Sequence, residues 1–275
     1  MAVKEIVKPI ILQRADPWIY KHTDGYYYFT ASVPEYDRIE IRRSKTINGL
    51  AESEAVTVWR KHKEGMLSAN IWAPEIHYID GKWYVYFAAA RTTETKEGLF
   101  DHRIFVLENE SENPLEGSWV EKGQLKTNWE SFALDATTFE HKGIRYLVWA
   151  QKDPNICGNS NLYIAKMSNP WTIEGKQVMI TEPEYDWEKI GFLVNEGPAV
   201  INRNGKIFIS YSASATDFNY CMGVLIADEN SDLLNKDSWH KSETPVFKTD
   251  EEKEIYGPGH SCFTVSEDGK TDMLV

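Results

Sequence analysis

Five stretches decide the fold: HTDGYYYFTAS (22–32), YIDGKWYVYFAAA (78–90), FEHKGIRYLVWAQ (139–151), INRNGKIFISYSAS (201–214) and SEDGKTDMLV (266–275). Each sets a glycine in a polar turn and follows it with an apolar, mostly aromatic-rich run. The glycines are Gly25, Gly81, Gly143, Gly205 and Gly269, spaced about 56 to 64 residues apart. Three turns read Asp-Gly and one Asn-Gly, the pairs that supply the positive φ of a tight hairpin. Each turn joins a preceding apolar strand to the run after it.

A third strand follows in four copies: RIEIRRS (38–44), HRIFVLEN (102–109), NLYIAKMS (161–168) and CMGVLIAD (221–228). Polar turns such as NPLEGSW (113–119) and LNKDSW (234–239) then lead to an apolar anchor. No convincing amphipathic helix interrupts the series. About four short antiparallel strands per period, repeated radially, is the propeller pattern. The expected fold is therefore all-β: a five-bladed β-propeller with four-stranded antiparallel blades, forming one domain over residues 1–275. The fifth copy reaches Val275 midway through its second strand, so an incomplete last blade is expected. The segment VKEIVKPIIL (3–12) could supply one closing strand. The periods exceed the roughly 40–45 residues of a WD40 blade, so the extra length belongs to loops, which commonly build binding sites.

Composition narrows the partners. Lys and Arg number 30 against 42 Asp and Glu, a formal net charge of −12. This argues against nucleic acid, which needs clustered cations. No stretch approaches a membrane span, and the longest apolar run in residues 1–15, Pro9 to Leu12, is too short for a leader core. A cytoplasmic location is expected on that ground. Cys157, Cys221 and Cys262 are odd in number and widely spaced, which suits neither a disulfide framework nor a zinc site. The 10 Trp, 14 Tyr and 11 Phe suit the flat faces of sugars, although sheets favour aromatics anyway.

Six to nine residues before each glycine stands an ionisable residue: Asp16, Glu75, Asp135, Glu196 and His260. Each alone reads equally well as a turn or core residue. Together they fall at the start of every innermost strand, where a propeller would converge them. Carboxylates crowded in a partly buried funnel repel one another and lose hydration. Their pKa values separate, making one an acid while another stays a base. That division suits glycoside hydrolysis, whose transition state is oxocarbenium-like.

At these residues the chain resembles glycoside hydrolase family 43. The motifs are Arg14-Ala15-Asp16-Pro17, Trp72-Ala73-Pro74-Glu75, Leu134-Asp135-Ala136, Asn195-Glu196-Gly197-Pro198 and Gly259-His260, one per period and in order. The resemblance implies an inverting mechanism. Asp16 would be the general base, Glu196 the general acid, and Asp135 the residue that holds Glu196 and raises its pKa. His260 is similar to an axial histidine that ligates a calcium or other hydrated cation; calcium prefers oxygen ligands, so water would complete the shell. No organic cofactor is expected. Glu75 reads as a supporting carboxylate. Trp72, Tyr36 and Asn195 are the candidate substrate-binding residues, Trp72 with the alternative of a core tryptophan. An arginine usual in the family's last blade would lie past Val275.

The loop at residues 33–38 most resembles exo-acting α-L-arabinofuranosidases that trim α-1,5-arabinan, so the expected partner is an oligosaccharide or polysaccharide. The insert TTETKEGLFDH (92–102) could wall off one side of a pocket, as exo action needs. A β-xylosidase or endo-arabinanase of the same family, a non-catalytic carbohydrate-binding propeller, a protein-interaction propeller and a retaining fructan-type hydrolase stay open as alternatives.

Overall fold

A computed structural model describes residues 9–275. Four four-stranded antiparallel sheets form in chain order. The first holds β1 (Ala15–Lys21), β2 (Tyr27–Ser32), β3 (Arg38–Ser44) and β4 (Val56–Arg60). The second holds β5 (Ala69–Ile79), β6 (Lys82–Ala90), β7 (Arg103–Asn109) and β8 (Val120–Gln124). The third holds β9 (Ala133–His141), β10 (Ile144–Gln151), β11 (Asn161–Asn169) and β12 (Thr172–Thr181). The fourth holds β13 (Asn195–Arg203), β14 (Lys206–Ala213), β15 (Cys221–Asp228) and β16 (His240–Lys241). β17 (Phe263–Val265) and β18 (Asp272–Leu274) pair as a fifth, two-stranded sheet. The arrangement is propeller-like, with four full sheets and a two-stranded fifth, where five blades with an incomplete last one were expected. Of the segment 3–12 expected to close the ring, residues 9–12 form a bend and no strand. The remainder lies outside the described residues.

Local turn chemistry explains the hairpins. Asp80 and Gly81 have φ of 49° and 85°, Lys142 and Gly143 52° and 74°, Asn204 and Gly205 53° and 74°. Positive φ at both central residues is the two-residue turn whose twist matches the flanking strands. Registers agree, with Ile79 opposite Lys82, His141 opposite Ile144 and Arg203 opposite Lys206. The first copy differs: His22 N donates to Tyr26 O at 2.9 Å, closing a longer loop in which Gly25 takes the positive φ of 87°.

The second strand of each full sheet is packed on both faces, so its burial is nearly continuous instead of alternating. In β6 every residue from Trp83 to Ala90 is buried. Hydrophobic clusters fill the spaces between successive sheets. Ile39, Ile41, Trp83 and Val85 join the first to the second, and Tyr86, Val106, Trp149 and Tyr163 the second to the third. Val148, Ile164, Ile209 and Leu225 join the third to the fourth. Ile19, Tyr27, Cys262 and Met273 join the fifth sheet to the first. The first strands of neighbouring sheets lie side by side, with β17 against both β13 and β1. The starts of β1, β9 and β13 and the turn before β17 thus meet at one centre. Among the described residues the cysteines are all free, and no helix is long and apolar enough to cross a membrane.

One ionic cluster ties the fourth sheet together. Glu188, fully buried, accepts hydrogen bonds from Glu184 N (2.7 Å), Tyr185 N (2.8 Å), Asn195 Nδ2 (3.0 Å) and Tyr211 OH (3.0 Å). Lys241 Nζ, 2.7 Å away, balances its charge. Glu188→Ala would strand a largely buried ammonium and four hydrogen-bond donors. The expected loss is about 3–5 kcal/mol of stability, read as a lowered urea midpoint; a change under about 1 kcal/mol, the scale of an exposed pair, would contradict this account.

Candidate active site

Each of the four full sheets breaks register near the start of its first strand. The shift lies between Ala15 and Trp18 in β1, on both sides of Trp72 in β5, and between Glu196 and Ala199 in β13. In β9 it falls opposite Val148 to Ala150, across Leu134 to Thr137. At these breaks Asp16 (φ 55°), Ala73 (46°), Asp135 (53°) and Gly197 (53°) are left-handed, and His260 (43°), just before β17, is too. Bulges bend a strand and re-aim its side chains, and they gather beside active sites. Left-handed backbone is unfavourable for non-glycine residues, least so for Asp, Asn and His. The strain persists only where surrounding structure over-determines it.

Here neighbouring sheets do so. Ala73 N donates to Ser32 Oγ of the first sheet (2.8 Å), Gly197 N to Asp135 Oδ2 of the third (3.0 Å), and His260 N to Ser212 Oγ of the fourth (2.7 Å). Gly197 has a second reason to be glycine, since a Cβ there would stand 3.1 Å from His260 Cγ.

The result is a cavity of about 550 Å³ lined by Asp16, Asp135, Glu196, His260, Trp72 and Tyr36, among others. Asp16 Oδ2 accepts from Ser32 Oγ at 2.5 Å, and its Oδ1 lies 3.1 Å from His260 Nδ1. The same nitrogen is 3.9 Å from Asp135 Oδ2. Glu196 Oε1 accepts from Tyr220 OH at 2.8 Å. Burial, and then the negative charge of Asp135, push the Glu196 pKa up to about 7. Burial raises Asp135 to about 6, against the pull of His260. Burial opposes charge on His260, but Asp16, Asp135 and Glu196 outweigh it and its pKa rises. Below pH 7 the site therefore offers a protonated carboxyl at Glu196, and Asp16 held by one hydroxyl and one imidazole. A proton donor and a proton acceptor in one cavity can perform general acid–base chemistry.

The other expected residues divide. Trp72 and Tyr36 line the cavity, their rings edge to face at 5.8 Å, and Trp72 stacks on His102 at 4.0 Å. Asn195 does not reach it. Successive strand residues face opposite ways, and Asn195 points into the buried cluster, bonded to Glu188 and Thr181; its assignment to substrate binding is corrected. Glu75 is buried outside the cavity, 2.9 Å from His77 Nε2, with its pKa raised well above normal by burial. The insert at 92–102 brings Leu99 and Phe100 to the cavity wall. Around His260, no group of three or more His, Cys, Asp or Glu side chains among the described residues could hold a metal ion. The one imidazole nitrogen facing the acids is taken by Asp16. A hydrated cation here would therefore take most of its six to eight oxygens from water.

Three residues escaped the sequence reading. Ser32 and Ser212 each stand seven residues after their repeat glycine, a shared position that could have exposed them. Tyr220 sits in the β14–β15 loop, where no periodic signal exists.

Known proteins resemble this chain over most of its length. The sequence profile described as glycosyl hydrolases family 43 matches residues 6–275. An extracellular exo-alpha-(1->5)-L-arabinofuranosidase of Streptomyces avermitilis is 58% identical over 97% of this chain and 55% of its own length. Its namesake from Streptomyces chartreusis is 54% identical over 97% of this chain and 80% of its own. The chain thus spans about half the length of the first of these relatives. The crystal structure of an alpha-L-arabinofuranosidase from Lactobacillus brevis matches with a TM-score of 0.97 and 58% identity, covering 100% of this chain and 86% of that one. The cytoplasmic expectation is overturned: both Streptomyces relatives are extracellular by name, and a short apolar run in residues 1–15 carries no information about location.

Tyr220 gives a test of the electrostatics. Its hydroxyl donates to the charged form of Glu196 and so lowers that pKa. Tyr220→Phe is expected to raise the Glu196 pKa above about 7, followed by carboxyl ¹³C NMR titration. A fall, or no movement, would contradict the assignment.

Proposed function

The chain belongs to glycosyl hydrolases family 43, and from that premise we propose that it is an inverting, exo-acting α-L-arabinofuranosidase. Its substrate would be α-1,5-arabinan or arabino-oligosaccharides, neutral chains that an acidic protein does not repel. The observation that carries the proposal is the shared cavity of Asp16 and Glu196, with burial and Asp135 keeping Glu196 protonated near pH 7. The names of the relatives point to the same substrate.

Asp16 takes a proton from water, and the water oxygen forms the new bond to the anomeric carbon. The glycosidic bond breaks as Glu196 gives its proton to the leaving oxygen. The two carboxyls then exchange protonation with solvent to reset. His260 and Ser32 orient Asp16 through its two oxygens. Asp135 acts on Glu196 through charge and by bonding the next backbone N–H, at Gly197. Trp72 and Tyr36 pack on the furanose. The wall of Leu99 and Phe100 favours a closed pocket, hence exo action. No step passes through a cation. The two-stranded sheet β17–β18, seated between β13 and β1, would be the fifth blade of the propeller.

Three outcomes are expected. The alkaline limb of kcat/KM should fall near pH 7, where Glu196 loses its proton; full activity well above that pH would contradict its role as acid. Asp16→Ala and Glu196→Ala should each lower turnover of arabino-oligosaccharide about 10²- to 10⁴-fold. On an aryl arabinofuranoside, whose leaving group needs little protonation, Glu196→Ala should lose much less than Asp16→Ala. Near-normal turnover of the oligosaccharide by either variant would overturn the roles.

A further inference from the structure

Aromatic rings on the surface are few and unevenly placed. Among the described residues only Tyr36 (38% exposed), Phe192 (48%), Phe218 (52%) and Tyr256 (60%) stand out as exposed aromatic side chains. Tyr36 and Phe192 line the cavity itself. Phe218 and Tyr256 lie just outside it, two residues past Thr216 and one before Gly257, both of which line it. Their ring centroids are 6.4 Å apart at 40°.

The loops carrying this pair are fixed to one another. Thr249 Oγ1 donates to Phe218 O at 2.7 Å and accepts from Gly257 N at 2.9 Å. Asp217 O accepts from Tyr220 N (3.0 Å), and Asp217 Oδ1 from Asn219 N (2.8 Å). Gly257 is left-handed at φ 52°, and a Cβ there would fall 2.2 Å from Asp217 O. The two loops are thus braced against one another before any ligand arrives, so binding loses little loop entropy.

The proton donor fixes which part of a ligand belongs here. A general acid must touch the leaving oxygen, so the leaving sugar lies beside Glu196. Glu196 is bonded to Tyr220, on the same β14–β15 loop as Phe218. We propose that Phe218 and Tyr256, continued into the cavity by Phe192, form the platform on which the leaving-group side of an arabinofuranose chain stacks. The proposal rests on the arabinofuranosidase reading and extends it beyond the cleaved residue. Furanose rings present C–H faces that pack on aromatic rings, and binding sites are commonly lined this way. Close to the pair in sequence, the exposed carboxylates Asp217, Glu251, Glu252 and Glu254 outnumber exposed Lys253. They disfavour a polyanionic chain and leave a neutral one acceptable. Continuity with the cavity selects a glycan over a protein partner for this small patch.

The test compares linear α-1,5-arabinobiose with arabinotetraose, which share leaving-group chemistry but differ in how far they extend past Glu196. In the double variant Phe218→Ala/Tyr256→Ala, the ratio of kcat/KM for tetraose to that for biose is expected to fall about tenfold. The ratio is indifferent to how much protein is folded. A ratio within twofold of wild type overturns the platform. Calorimetric titration of arabinotetraose into Glu196→Gln, with and without the double substitution, reads the platform without turnover. About tenfold weaker binding is expected; equal affinity, or no binding to Glu196→Gln, overturns it. Wild-type protein that cleaves neither substrate, yet binds tetraose in a platform-dependent way, would overturn the proposed function and leave the platform standing.

Discussion

Four ionisable side chains, Asp16, Asp135, Glu196 and His260, share one partly buried centre, and their mutual charge is what the rest of the molecule must hold in place. Crowded carboxylates repel and lose hydration. Left free, they would separate into water. They are kept together because three of them, Asp16, Asp135 and His260, are themselves left-handed, and Gly197 beside Glu196 is too. Re-aimed backbone at each strand start sends those side chains to the centre instead of into the sheet faces.

The hydrogen bonds that restrain this backbone run between sheets. Ser32 holds Ala73, Asp135 holds Gly197, and Ser212 holds His260. Asp135 therefore has two linked effects. One of its oxygens fixes the peptide beside Glu196, and its charge makes Glu196 harder to ionise. Ser32 is likewise shared between a structural contact and Asp16. Assembly of the sheets and assembly of the site are the same event, because each pin needs two neighbours packed by the clusters between them.

Much of this was legible because turn chemistry is local. The repeat glycines marked the hairpins, and counting back from them found Asp16, Asp135, Glu196 and His260. Asn195 was misjudged because the motif containing it says nothing of alternation, which turns its side chain toward Glu188. Tyr220, Phe218 and Tyr256 were invisible. They lie in loops whose course is set by contacts such as Thr249 with Phe218 and Gly257 with Asp217, which no periodicity encodes. The first hairpin, longer than Asp-Gly suggests, was likewise a matter of tertiary pairing. Location was not legible at all.

The central claim is that water, activated by Asp16, attacks while Glu196 protonates the leaving oxygen on the other side. The most direct measurement is ¹H NMR of the first sugar released from an α-linked arabino-oligosaccharide, before mutarotation. The account expects β-L-arabinofuranose to appear first. Initial release of the α-anomer would contradict it.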